Sequence, residues 1–244
     1  MNKILLYIVC HDDASEHDAN NLLTLYPFGK VVRVKDTSPY FESQVYTKLL
    51  GNNEYKDYTW VGVITYSFIK KIGFVDILKE CQNTNQEQYN VISFLNLVFS
   101  KPRTGHDVSF VESVAMQHGP FFWQIMINLL KVHGYNETDI MSKNTVGFFS
   151  NWFLTTPDLF AKYIEFYNSC VELLESNEVL SSYVKENAYY NNPNMSPDRL
   201  VAIFGKPYYT LQPFIFERMP SFFFQLEGAK VKRGGKTMRW NLND

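Results

Sequence analysis

From residue 3 to residue 10 the chain runs Lys-Ile-Leu-Leu-Tyr-Ile-Val-Cys, apolar after its first lysine, and then stops at His11-Asp12-Asp13. A short apolar run closed by a polar cluster is the pattern of a strand covered on both faces, as in parallel sheets with helices on either side. The run has a superficial likeness to a signal peptide, but it is short, and acidic residues stand where a small-residue cleavage site would be. It reads as a first buried strand.

The next segments alternate in the same manner. Helical spacing over 16–25, a break at Pro27-Phe28-Gly29 and then Lys30-Val31-Val32-Arg33-Val34 make a strand, helix, strand opening. A helix over 41–50, a strand over 57–66, a short helix over 74–81, a strand over 90–97 and a longer helix over 119–133 extend the alternation. Residues 144–155 are β-like and strongly aromatic. Thr156-Pro157-Asp158 then opens a helix reaching 174, with Thr156 as cap, Pro157 in the first turn and Asp158 complementing the dipole. Residues 189–197 read as a loop, and 214–226 as a last helical element kinked or restarted at Pro220.

No internal repeat and no second domain boundary interrupt this order. The expectation is an α/β chain in which residues 1–227 form one domain, a Rossmann-like, mixed but mainly parallel sheet flanked by helices. Residues 228–244 would be a basic C-terminal tail carrying Lys230, Lys232, Arg233, Lys236 and Arg239 around Gly234-Gly235. The tail is either a solvated terminus or a lid that meets a polyphosphate.

Composition narrows the function classes. Lys plus Arg number 23 against 25 Asp plus Glu, so no global electrostatic pull toward nucleic acid exists, and no nucleic-acid partner is expected. The longest apolar stretch, 121–132, is broken by Gln124, Asn128 and Lys131, so no membrane span is expected. Cys10, Cys81 and Cys170 stand apart in no metal-ligand or disulfide spacing, which fits a reducing, cytoplasmic setting. Phe (20) and Tyr (16) dominate an aromatic share of 16%, enough both to fill a core and to line a groove that stacks on sugars or bases.

In open α/β sheets ligands bind beyond the carboxyl ends of the strands, and this rule selects sites. His11 and Asp12 follow the first strand and can hold a base or ribose, or simply cap the next helix. Thr65, Tyr66, Ser67, Lys70 and Lys71 follow the third strand and can address a diphosphate, or form an ordinary solvated strand end. Near the C-terminus Glu217-Arg218 is embedded among apolar residues. The two are either a structural ion pair or a site in which Glu217 takes a proton from a hydroxyl nucleophile while Arg218 holds a phosphate or fixes the carboxylate. His17, His106, His118 and His133 show no metal-ligand spacing, and His118-Gly119 looks like a helix entry. Gly-x-Gly-x-x-Gly and Walker lysine motifs are absent.

Several of these segments together resemble a set of glycosyltransferase-like proteins of large DNA viruses and bacteria, related to the nucleotide-sugar transferase fold called GT-A. Ile8-Val9-Cys10-His11 is similar to that family's first strand and nucleotide-side loop, and Trp60-Val61-Gly62-Val63-Ile64-Thr65-Tyr66-Ser67 to its second signature strand. Phe148-Phe149-Ser150-Asn151-Trp152-Phe153-Leu154-Thr155-Thr156-Pro157 resembles its aromatic strand and helix start, and Gln212-Pro213-Phe214-Ile215-Phe216-Glu217-Arg218-Met219-Pro220 its closing Glu-Arg element. The resemblance implies a GT-A-like single domain. Its donor would be a UDP- or GDP-linked sugar held by the N-terminal half, and its acceptor a glycan or other hydroxyl compound met by the C-terminal half, with a hexosyl or pentosyl group transferred. It further implies Glu217 as the base, Asn151 and Trp152 as sugar-orienting residues, and a cytoplasmic location, that of the host if the protein is viral. The chain departs from the better-known transferases in lacking Asp-x-Asp, and Asp12 and Asp13, adjacent on extended chain, would point apart. The metal ligands therefore stay unknown and a need for Mn2+ or Mg2+ stays open, with Lys70, Lys71 or the basic tail as alternative sources of positive charge. A non-catalytic glycan- or nucleotide-binding protein of the same fold is the alternative function, and a structural protein with an aromatic interaction surface is a further one.

Overall fold

The computed structural model describes residues 3–100, 107, 108, 110–141, 147, 150–193 and 195–241. Seven strands make one sheet among these residues: β1 (Ile4–Cys10), β2 (Gly29–Arg33), β3 (Trp60–Thr65), β4 (Val91–Ser100), β5 (Asp107–Val108), β6 (Phe153–Thr155) and β7 (Val231–Asn241). The spatial order is β2-β1-β3-β6-β4, with β7 along the other edge of β4 and β5 beside the end of β4. β1 is parallel to β2 and β3, and β4 is parallel to β7, whereas β6 runs antiparallel between β3 and β4. The sheet is thus mixed and mainly parallel, as expected.

Helices cover both faces: α1 (Asp13–Leu22), α2 (Val45–Leu49), α3 (Phe68–Ile72), α4 (Ile77–Gln82), α5 (Phe110–His118), α6 (Pro120–Val132), α7 (Glu137–Ile140), α8 (Pro157–Ser176), α9 (Glu178–Tyr183), α10 (Pro197–Phe204) and α11 (Gln212–Leu226). The two-residue period of β1 divides its side chains between two cores. Leu5, Tyr7 and Val9 enter a large aromatic core with α2, α6, α8 and α11, while Ile4, Leu6, Ile8 and Cys10 enter a smaller one with α1, α3 and α4. All seven residues of β1 are buried, which is why its sequence is continuously apolar.

Several expectations need correction. The basic tail is largely a strand: β7 pairs with β4 from Val231↔Val91 to Asn241↔Ser100. Its glycine pair permits this. A Cβ at Gly234 would lie 2.9 Å from Ile92 Cγ2, and one at Gly235, whose φ is 63°, would overlap the Phe94 carbonyl oxygen. Lys232 is held by Glu80 and Thr84, each at 2.9 Å, so its charge is neutralised within the fold. Of the β-like segment 144–155, only Phe153–Thr155 is strand, and residues 144–146, 148 and 149 lie outside the described residues. His118 ends α5 and does not enter a helix, because Gly119 at φ 77° separates α5 from α6. Thr156 sits at the start of α8 in extended conformation but makes no side-chain cap bond. Pro220 is accommodated inside an α11 that continues from Gln212 to Leu226.

Candidate functional site

The carboxyl ends of β1, β2 and β3, the entry to β6 and one side of α11 enclose a cavity of about 330 Å3. His11 reaches it from the end of β1, Lys35 and Asp36 from beyond β2, and Thr65, Tyr66 and Lys71 from beyond β3. Because β6 runs antiparallel to β3, the residues preceding it, Ser150, Asn151 and Trp152, come to that same end of the sheet and also line the cavity. α11 contributes Pro213, Phe214 and Glu217. The turn after the first strand and the carboxylate more than two hundred residues later, the two features proposed from sequence, therefore face one space.

Glu217 and Arg218 are adjacent but differ sharply in environment. The Glu217 side chain is 28% exposed, whereas that of Arg218 is 3% exposed. Arg218 Nη1 lies 2.9 Å from Glu217 Oε2, and Ser150 Oγ donates to Glu217 Oε1 at 3.2 Å. Behind them Arg218 Nη2 makes long contacts with Gln117 Oε1 at 3.4 Å and His118 Nε2 at 3.5 Å. Burial pushes the guanidinium below its usual range, and Glu217 opposes that shift. Arg218 thus fixes the carboxylate and, being outside the cavity lining, is not placed to hold a phosphate.

The other sequence-selected residues divide. Thr65 is buried with Oγ1 3.0 Å from Ser67 Oγ, so Ser67 supports the wall without lining it. The Tyr66 ring meets the His11 ring at 5.3 Å, and burial chiefly, with Glu42 next, raises the Tyr66 phenol. Lys71 lines the cavity with its ammonium 5.3 Å over the Trp152 ring. Lys70 does not line the cavity, because Asp18 holds its Nζ at 2.6 Å. Trp152 is fully buried, edge-on to Phe68 and beneath Lys71. Its ring has no exposed surface and lies under Lys71, so the structure leaves no open face for the sugar stacking expected of it. Asn151 is buried too. Its Nδ2 donates to Ser43 Oγ at 2.8 Å, while its Oδ1 has no hydrogen-bond partner among the described residues, a state that a ligand donor would relieve.

Asp12 caps α1, accepting from Ser15 N at 2.7 Å, and this hydrogen bond is the main cause that holds its carboxyl below the usual range. Asp13 points away to Arg33, so the adjacent acids diverge as expected. The acid that joins Asp12 is Asp36: one ligand atom from each of His11, Asp12 and Asp36 lies within 4.8 Å of the others. One imidazole and two carboxylates suit Mn2+ and, less well, Mg2+, so this donor set fits a divalent cation. Asp36 also pairs with Arg199 from α10.

Sequence reasoning missed Lys35, Asp36, Ser150 and Arg199, though signals for some existed. The strand-end rule applies to β2 as much as to β1 and β3. Ser196-Pro197-Asp198 repeats the pattern of Thr156-Pro157-Asp158: Ser196 Oγ accepts from Arg199 N at 3.2 Å, Pro197 starts α10, and Gly205 ends it at φ 67°. Ser150 had no such signal. It and Phe41, with φ of 55° and 46°, are non-glycine residues in the left-handed region, and both line the cavity. Such conformations cost about 1–3 kcal/mol each and concentrate at functional sites.

No family model and no curated protein sequence matches the chain. A solved structure does: the apo structure of WbbM, a bifunctional glycosyltransferase, with a TM-score of 0.54 and 16% identity. The match covers 98% of this chain and 46% of that one, so the chain spans about half the length of its structural neighbour. The fold is therefore similar to that of a glycosyltransferase, over nearly the whole chain. No helix among the described residues is long and apolar enough to cross a membrane.

Proposed function

We propose that the chain is a glycosyltransferase of the GT-A-like type, of the set found in large DNA viruses and bacteria, moving a sugar from a UDP- or GDP-linked donor to a hydroxyl of a glycan acceptor. The observation that carries this reading is a partly exposed Glu217 carboxylate in the cavity formed by the carboxyl ends of β1 and β3, within a glycosyltransferase-like fold.

In this reading the donor lies across the strand ends, its base near His11 and its diphosphate near Thr65, Tyr66 and Lys71. Lys71, with Lys35, supplies positive charge to a departing diphosphate, while Arg199 is held by Asp36. Where a divalent cation is bound, His11, Asp12 and Asp36 would hold it, and it would add charge neutralisation at the diphosphate. Asn151 Oδ1 accepts from a sugar hydroxyl. Glu217 Oε1 takes the acceptor proton as the acceptor oxygen bonds to the anomeric carbon. The bond from that carbon to the diphosphate breaks on the opposite face, its electron pair leaving with the nucleotide, and the configuration inverts. Arg218 and Ser150 hold the carboxylate in place for that transfer.

The test is turnover of a panel of UDP- and GDP-sugars, with and without Mn2+, by wild type and Glu217→Gln. A positioned base contributes about 10²–10⁴-fold, so Glu217→Gln should lose that much activity while nucleotide affinity, measured by calorimetry, stays nearly unchanged. A fully active Glu217→Gln removes the base role. Nucleotide binding without turnover of any donor would favour a non-catalytic binding protein of the same fold.

A further inference from the structure

Lys35, Tyr40 and Ile203 line the cavity and also a second, more open groove of about 600 Å3. The groove is otherwise bordered mainly by hydroxyls, amides and isolated charges, among them Thr37, Ser38, Gln44, Glu175, Lys185 and Gln212. Glu175 offsets one of the two lysines, leaving too little positive charge to select a polyanion, and the hydrogen-bonding groups on its walls are poorly suited to an apolar partner. Hydroxyls and amides interleaved with aromatic rings are instead what a neutral polyhydroxyl chain requires.

Tyr40 stands where the two spaces meet. Its hydroxyl donates to Glu175 Oε1 at 3.1 Å on the groove side, and its ring packs edge-on at 5.3 Å against Phe216, the residue before Glu217. Thr210, 1% exposed, also borders the groove, and its Oγ1 has no hydrogen-bond partner among the described residues. Ligand sites for drug-sized molecules span about 300–1,000 Å3, and the cavity lies at the lower end of that range. A nucleotide-linked sugar fills such a cavity alone, so the body of an acceptor must lie elsewhere.

We propose that the groove is the acceptor subsite for a neutral oligosaccharide of at least two sugars, whose terminal hydroxyl passes Tyr40 to reach Glu217. This rests on the glycosyltransferase reading above and deepens it. The full chain is screened on an array of defined neutral oligosaccharides and their component monosaccharides, and the best-bound oligosaccharide is titrated by calorimetry. The expected result is at least tenfold tighter binding of the oligosaccharide than of its terminal monosaccharide, and at least a tenfold loss in Thr37→Trp, which fills the groove from an exposed position. Lys185→Ala, also exposed, is the second variant should Thr37→Trp melt early. Absence of array binding, equal affinity for the monosaccharide, or wild-type affinity in both folded variants overturns the groove assignment. Donor hydrolysis by the wild-type chain is read separately, so the groove and the transferase reading can fail independently.

Discussion

His118 couples the site's supporting shell to pH. Its ring lies between Phe122 and Phe214, with centroids at 5.0 and 4.8 Å, and burial first, then Arg218, pushes its pKa down to about 3. The folded protein therefore keeps it neutral where the unfolded chain, titrating near the ordinary value of about 6.5, takes up a proton. Between those values the unfolded state holds more protons, so stability is fully present above about pH 6.5 and is lost as pH falls toward 3, by up to about 1.4 kcal/mol per pH unit. His133, also lowered by burial, adds in the same direction. Urea midpoints measured from pH 7 to pH 5, above the range of most carboxylates, should fall in wild type and fall less in His118→Gln; equal slopes would remove His118 as the cause. This was not legible beforehand, because a histidine beside a glycine looks the same whether it enters a helix or leaves one. Glu217 was legible as an acid among apolar residues. That it is exposed while Arg218 is not depends on which side of α11 faces the cavity.

At the level of elements, β7 is the instructive case. Five basic residues and a glycine pair resemble a solvated tail, yet the segment is an edge strand among the described residues, where lysines and arginines guard against pairing with other chains. Its glycines are needed for close approach to β4. Gly235→Val forces a β-branched residue into the left-handed region and against the Phe94 carbonyl, which should cost about 2–4 kcal/mol in chemical denaturation. Gly51→Asn, at φ 76° with nothing within 4 Å of a Cβ, should cost under about 1 kcal/mol. A loss at Gly235→Val no larger than that at Gly51→Asn would remove the clash with the Phe94 carbonyl as a cause. β1, β2, β3 and α8 were readable because apolar period, and for α8 Pro157 and Asp158 in its first turn, act over a few positions. β7 was not, because its pairing with β4 joins segments about 140 residues apart.

For the molecule as a whole, the sheet is a partition between two cores, with Cys10 and Cys81 buried in the smaller and Cys170 in the larger. Burial pushes Cys10 up to about 11 and Cys81 up to about 12, and raises Cys170 as well, 3.4 Å from His133 Nε2. None should react with a disulfide reagent at pH 8 in the native state, and all three should react on unfolding in a single phase if both cores melt together. Early labelling of Cys10 and Cys81 alone would show that the smaller core opens independently. The alternation of elements, the burial of both sheet faces and the importance of the strand ends are written locally, in side-chain period and in Pro, Gly and cap residues. The company each strand end keeps is not. Asp36 meeting His11 and Arg199, Trp152 sinking beneath Lys71, Lys70 drawn off to Asp18 and Glu217 facing the turn after β1 all depend on contacts between distant segments. Such contacts exist only after both cores close, since it is packing across the sheet that selects which side of each helix, and so which side chains, the cavity receives.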